Sequence, residues 1–487
     1  MTILAVIGMN LRVDDNPALF HAAVQAAESD DRVVAVVCQD TNLRAPGAAF
    51  AWWTAKSLPV FRQDLEDLGI PLVAVSVDLG QLIPRLVEQL GVTQIHANRR
   101  WGENALEVDR QWSEAVKGSG VTVHGHTAHT LHDPWALTTG QGGPYRVFTP
   151  FSKRFGDSDE AFFNGAPVDV PEPLETDTEL FDAVTDLDCG TALESVEEPH
   201  WAAKFTWEPG ERAGVERLED FLDGAVEDYA TARDLPGRPG TSGVSPYLAH
   251  GEISPRRAWE MAQQHALAAP SESAETFKTE LLWREFNHHL LYHYPDLHQR
   301  NLNARFDAFP WKSAQEGTVA DQVALWRSGH TGHPLVDAGM RELWETGWMH
   351  NRVRMVVASV LTKNLGVHWS VGEQWFWDTL VDADPASNPG NWQWASGTGA
   401  DAAPYFRIFN PRRQAERFDD DAAYVRRWVP ELAEVPAGSI MKLYDAPASL
   451  PADTNLSPAQ TLELYPAPIV DLKSSRAEAL DAYQSIK

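Results

Sequence analysis

At 487 residues the chain is too long for one simple core and calls for about two or three domains. Its hydrophobic fraction of 43% is that of a soluble globular protein, and its net charge of −29 argues against non-specific nucleic-acid binding. Two distant cysteines, Cys38 and Cys189, exclude a disulfide framework and a zinc site; with no basic leader and no membrane-length apolar run, a cytoplasmic protein without a membrane partner is expected.

Residues 1–128 alternate strand and helix patterns. Strands are expected at Ile3–Met9, Val33–Gln39, Leu72–Val77, Thr93–Ala97 and Val121–His124. Helices are expected at Pro17–Glu28, Ala48–Leu68, Leu82–Leu90 and Ala105–Lys117. Short apolar runs between amphipathic stretches imply an α/β domain on a doubly wound parallel sheet. The first strand-to-helix turn, GMNLRVDDNP, lacks GxGxxG, so no dinucleotide fingerprint is present.

Residues 129–211 show no clear period and read as an interdomain linker, acidic from Glu172 to Glu198. Within it Pro144–Phe151 is more apolar and is expected to dock on a domain. Residues 212–487 read as one large all-α domain. Its helices are expected at Gly214–Tyr229, Pro255–Leu267, Ala274–Tyr292, Val319–Ser328, Leu335–Gly347, Val353–Leu365, Glu373–Leu380 and Ala422–Trp428.

Three constellations lie in this helical part. Tyr229 and Arg233 precede the loop Thr241, Ser242, Gly243, Val244, Ser245, whose N–H and O–H groups suit an anion such as a diphosphate, though a helix cap has the same composition. Glu280, Trp283, Arg284 and Asn287 fall at i, i+3, i+4 and i+7, so one helical face mixes a carboxylate, an indole, a guanidinium and an amide. That mixture suits a polar-rimmed pocket better than a core or a solvated face. In the third, GWMHNRVRM, Asn351 and Met355 are one turn apart, and Arg352 and Arg354 suit phosphates. No histidine pair has convincing metal-ligand spacing with a carboxylate, so no metal is expected.

The densest stretch is DADPASNPGNWQWASGTGADAAPYFRIFNPRR, Asp382 to Arg413. Trp392 and Trp394 are two apart, about 200° on a helix, so their indoles should point to nearly opposite sides. Asp382 and Asp384 sit just before them in a Pro/Asn/Gly-rich turn that suits a rigid polar site. Later arginines, among them Arg407, Arg412, Arg413 and Arg417, leave room for a local basic face on an acidic protein.

Together TSGVSPYL, ELLWREF, TGHPLVDAGMREL, GWMHNRVRM and NWQWASGTGADAAPYFRIFNP resemble the photolyase/cryptochrome flavoprotein family, most closely bacterial class I cyclobutane pyrimidine dimer photolyases. The resemblance implies an N-terminal antenna domain and a helical domain that holds FAD. It assigns Tyr229, Thr241, Ser242, Gly243, Val244, Ser245, Arg284, Arg354, Asn364, Asp382, Asp384 and Asn388 to FAD, with Asn388 facing flavin N5. It assigns Glu280, Trp283, Asn351, Arg352, Met355 and Trp394 to the lesion pocket, and Arg233, Arg352 and Gln414 to DNA. Trp283 and Trp394 would stack on a flipped dimer, and Glu280 would hydrogen-bond a thymine edge. Trp392, Trp369 and Trp311 would carry electrons from the surface to the flavin. The implied activity is light-driven repair of dimers in UV-damaged DNA by electron transfer from photoexcited reduced FAD, by a monomer. The alternative within the family is a cryptochrome-type photoreceptor without repair.

Three departures stand out. Ile7-Gly8-Met9-Asn10-Leu11-Arg12 replaces a family segment with two further basic residues. Asn104 is followed by Ala105 where a folate antenna would want Glu, which weakens folate and leaves deazaflavin, flavin or nothing. Asn364 stands where relatives are expected to place an Asp paired with the equivalent of Arg354. On that alignment either Arg354 carries a spare positive charge favouring anionic flavin states, or Asn364 hydrogen-bonds Arg354 and nothing else changes.

Overall fold

The computed structural model describes residues 1–156, 165–194, 198–401, 406–443 and 463–487. The N-terminal part is a sheet of β1 (Thr2–Val6), β2 (Arg32–Asp40), β3 (Leu72–Val77), β4 (Val92–Asn98) and β5 (Thr122–His126) in the order β5-β4-β1-β2-β3. All four of these pairings are parallel. The helices α1 (Pro17–Ser29), α2 (Ala48–Asp67), α3 (Leu79–Leu90) and α4 (Ala105–Ala115) connect the strands. Alternate strand residues feed two cores: Leu4, Val34 and Val73 on one face, Ile3, Val33 and Leu72 on the other. Burial on both faces explains the continuous apolar strand sequences.

Asn16 caps α1, its side chain accepting from the Leu19 N–H, and Pro17 follows at the first helical position. β1 is shorter than the expected Ile3–Met9. Ile7 N–H still bonds the Val36 carbonyl, but Gly8 at φ +67° turns the chain away.

The stretch read as a linker is partly ordered. Residues 191–192 form β6 (Thr191–Ala192), an antiparallel edge strand on β3, and α6 (Thr178–Thr185) packs Leu180 and Val184 into one sheet core. The expected docking of Pro144–Phe151 is seen as α5 (Phe148–Gly156), whose Phe148, Phe151 and Phe155 join a core with Phe286, Leu290 and Leu291. The acidic stretch ending at Glu198 includes residues 195–197, which lie outside the described residues.

The C-terminal part is helical. α7 (Glu211–Asp223), α8 (Tyr229–Ala232), α9 (Ser245–Ala249), α10 (Pro255–Ala268), α11 (Glu272–His293), α12 (Gly317–Ser328), α13 (Pro334–Thr346) and α14 (Asn351–Ser359) come first. Then come α15 (Trp369–Thr379), α16 (Ser387–Ser396), α17 (Pro411–Phe418), α18 (Ala423–Trp428), α19 (Ala437–Leu443) and α20 (Leu472–Ser485). The expected helix Val353–Leu365 does not run regularly: after Ser359 it widens into a π turn, Val360–Asn364. No helix among the described residues is long and apolar enough to cross a membrane.

Two close approaches bring the central helices together. A Cβ on Gly390 would lie 2.3 Å from Asn287 Oδ1, so α16 meets α11 at a residue without a side chain. A Cβ on Gly372 would lie 2.1 Å from the Trp392 ring, so α15 lets that indole reach its backbone.

Candidate active site

α11, α14, α16 and the loop before α9 enclose a cavity of about 470 Å³. α11 sends in Glu280, Trp283, Arg284 and Asn287, the four residues that share one helical face. The loop contributes Thr241, Ser242, Gly243, Val244 and Ser245, with Tyr229 and Arg233 beside it. Asn351, Arg352, Arg354 and Met355 come from α14; Asp382, Asp384, Asn388, Trp392 and Trp394 come from α16 and the turn before it. Residues 402–405 of the long motif lie outside the described residues.

The cavity wall holds its charges in pairs. Glu280 is paired with Arg233 at 2.5 Å and Asp234 with Arg352 at 2.6 Å. Arg354 grips Asp382 with two nitrogens, at 3.1 and 2.8 Å, and Ser245 Oγ donates to the same carboxylate at 2.7 Å. This corrects the expected partnership of Arg354 with position 364. Asn364 is buried at the end of the π turn, where its Nδ2 donates to Ser475 Oγ on α20 at 2.8 Å. It does not line the cavity, and Arg354 has no spare charge. The expected bias toward anionic flavin states loses its basis.

Asp384 stays ionised although it is fully buried. Burial pushes its carboxyl up, but facing His288 and, less, Arg284 hold it well below the usual carboxylate range. His129, His288 and Asp384 crowd closely enough to suggest a cation site. Arg284 Nη2 already donates to His129 Nε2 at 2.8 Å, and its charge opposes a second cation there.

Asn388 donates Nδ2 to the Glu373 carbonyl at 3.1 Å and to Glu373 Oε1 at 2.9 Å. Both partners only accept, so the amide is fixed and its oxygen remains for the cavity. Arg44, from the segment after β2, anchors Glu373 through two hydrogen bonds of 2.7 and 2.9 Å. Trp283 stacks on Phe148 of α5, with ring centroids 3.7 Å apart and 7° between planes. Sequence reasoning left Phe148 without a role, because it lies in the segment without a period. Asp234 was also missed; its signal was its place beside Arg233.

Trp392 and Trp394 do not take wholly separate surroundings: both line the cavity. Trp392 is otherwise buried, edge-on to Phe376 at 4.9 Å, while Trp394 leans toward Phe409 at 6.3 Å. Trp369 and Trp311 lie outside the cavity lining. Trp369 is fully buried and donates Nε1–H to Asn301 Oδ1 at 2.7 Å. His368 sits beside both, 5.2 Å from Trp369 and 5.1 Å from Trp311. Trp311 is half-buried. Gln414, on α17, is half-buried and outside the cavity lining.

A family profile described as "DNA photolyase" matches residues 7–172, and one described as "FAD binding domain of DNA photolyase" matches residues 277–485. A deoxyribodipyrimidine photo-lyase of Agrobacterium fabrum is 41% identical over 98% of this chain and 96% of its own. The chain belongs to the DNA photolyase family. A crystal structure of a class III photolyase from Agrobacterium tumefaciens, at 40% identity, superposes with a TM-score of 0.88 over 100% of this chain and 97% of that one. The family is therefore secure for this member, while the class I label is not the one its structural neighbour bears. Cryptochrome-1 of Arabidopsis thaliana is 32% identical over 97% of this chain and 69% of its own length.

The residues present fit FAD. A cavity of this size is lined by a hydroxyl- and glycine-rich loop, four carboxylates, four arginines and four indoles. Buried Asp384 Oδ2, at its wall, makes no hydrogen bond.

Proposed function

We propose that the protein repairs cyclobutane pyrimidine dimers in DNA, with FAD held in the cavity. The observation that carries this reading is the meeting of Glu280, Trp283, Trp394, Asn351 and Met355 with Asn388 and the Asp382–Arg354 pair in one cavity. When bound, FAD supplies a light-driven electron to the lesion and takes it back.

The chain's own residues bind, orient and polarise. Thr241 to Ser245 would receive the diphosphate, and Arg284, Asp382 and Asp384 would fix the remaining polar groups of FAD. Asn388 would offer its carbonyl oxygen to the flavin, because Glu373 holds its nitrogen. Trp283, backed by Phe148, and Trp394 would offer ring faces to a flipped dimer. Glu280 would accept from a thymine edge, with Arg233 stabilising its negative charge. Arg352 at the rim would meet phosphate once released from Asp234. Trp311, Trp369 and Trp392 would re-reduce the flavin from the surface.

We place the antenna, of deazaflavin, flavin or folate type, in the N-terminal sheet region, and take the working form as a cytoplasmic monomer. A photoreceptor without repair is the second reading, favoured by the 32% identity to a plant cryptochrome. Incubation of the FAD-loaded protein with a thymine-dimer oligonucleotide in blue light and in the dark separates the two. Dimer loss only in the light supports repair; intact dimers with reduced FAD present support the photoreceptor.

A further inference from the structure

Asp384 presents Oδ2 to two histidines whose ring protons are fixed by the N-terminal part of the chain. Trp101, between β4 and α4, donates its Nε1–H to His288 Nδ1 at 3.2 Å. An indole nitrogen only donates, so Nδ1 accepts and the hydrogen of the neutral ring sits on Nε2. That Nε2 faces Asp384 Oδ2 at 3.3 Å. The contact is loose for a hydrogen bond, yet both atoms are buried and neither has a hydrogen-bond partner.

His129 is set the opposite way. Arg12 Nη1 donates to Asn10 Oδ1 at 3.2 Å, and Asn10 Nδ2 donates to the Ile7 carbonyl at 3.0 Å. These two partners leave the Asn10 amide one orientation, with its oxygen toward His129 Nδ1 at 3.3 Å. Nδ1 must then carry the hydrogen, and Nε2 accepts from Arg284. His129 therefore has no N–H for Asp384, which lies 3.9 Å from its Nε2. Asn10 belongs to the segment that departs from the family's usual sequence, and here it has a definite partner.

We propose that Asn10 and Trp101 lock His129 and His288 in opposite tautomers, and that His288 is a positioning residue that keeps Asp384 ionised and aimed into the cavity. The lock ties the first strand-to-helix turn and the loop after β4 to the cavity wall. The groups facing Asp384 are few. His288 and Arg284 come from α11 and His129 from the segment after β5; the N–H groups of Ala386 and Ser387 bond Oδ1 at 2.8 and 2.6 Å. Glu285 lies 3.6 Å from Arg284 and shares its charge. Without the Nε2–H of His288, burial regains weight and the Asp384 carboxyl moves up toward neutral pH. Arg284, itself on the cavity wall, keeps its hold on His129.

The proposal rests on the reading that this cavity holds FAD. The test measures the FAD dissociation constant and the flavin midpoint potential of the full chain at pH 6 and pH 8, for wild type, His288→Leu, His288→Gln and Trp101→Phe. Wild type should vary little. His288→Leu should bind FAD about tenfold more weakly at pH 6 than at pH 8, the change that one unit of carboxyl titration produces. His288→Gln keeps an N–H near the Nε2 position and should restore the flat profile, whereas Trp101→Phe, which frees the tautomer, should fall between. A flat profile for His288→Leu overturns the proposal, and so does a His288→Gln profile that follows His288→Leu. Wild type that retains no FAD at either pH overturns the underlying reading instead.

Discussion

The charged cavity wall and the tryptophans proposed as a relay share α15 and α16, yet they follow opposite rules. The cavity wall carries Asp234, Glu280, Asp382 and Asp384, each facing a cation or an N–H group. Among those tryptophans, Trp392 packs against Phe376 and Trp326, and Trp369 satisfies its N–H with the neutral Asn301 amide. Binding a charged cofactor and a charged polymer needs fixed charges. Moving an electron between indoles needs close rings without charges that trap it. The proposed function asks for both within a few turns of helix.

The sharpest way to break the comparison is to cut the proposed relay at Trp392, an uncharged part of the cavity lining, and leave the charged wall in place. Trp392→Phe should bring photoreduction of oxidised FAD close to the detection floor while chemically reduced protein still repairs dimers. Transient absorption and a single-turnover repair assay check the two halves. The mirror experiment cuts the wall: Trp283→Ala removes a ring face and strands Phe148, so lesion affinity should fall by about 1–3 kcal/mol, read by fluorescence anisotropy, with photoreduction unchanged. Gly372→Ala lies where the regions touch. Its methyl would collide with Trp392, so destabilisation of about 1–3 kcal/mol and slower photoreduction are expected, checked by thermal unfolding and flash kinetics.

The smallest effect lies at the sheet, where like groups meet and no ion pair among the described residues offsets them. His96 and His126 approach at 3.0 Å, with His21 and His124 stacked beside them. Burial first, then the neighbouring imidazoles, pull His96 down to about 4 and His126 to about 3. In the unfolded chain they titrate near the usual histidine value of about 6.5. The folded state therefore binds fewer protons below that value, and stability present above it is lost as the pH falls toward 4. His126→Asn should reduce the acid-induced fall in Tm, by the equivalent of about 1 kcal/mol or less at partly exposed sites. An unchanged pH profile would remove the cluster from the account.

What the sequence revealed of the site follows from locality. The α11 face was legible because its four residues repeat at helical spacing, and Thr241 to Ser245 because they are contiguous. The sheet was legible from alternating apolar runs. The partner of Arg354 was not: Asn364 is ten residues on, but the π turn carries it to Ser475, while Asp382 returns from 28 residues away. Phe148 and Asn10 were hidden for the same reason, since their partners Trp283 and His129 lie on distant segments. Gly372 and Gly390 matter through a missing Cβ, which no pattern of side chains announces.

The most direct test of the central claim uses purified protein with its FAD photoreduced, mixed with a thymine-dimer oligonucleotide and divided between blue light and darkness. Dimer loss in the light alone, diminished in Glu280→Gln and Trp283→Ala, is the expected result. Intact dimers in both halves, with fully reduced FAD confirmed by its spectrum, would contradict the repair reading and leave a light-sensing flavoprotein.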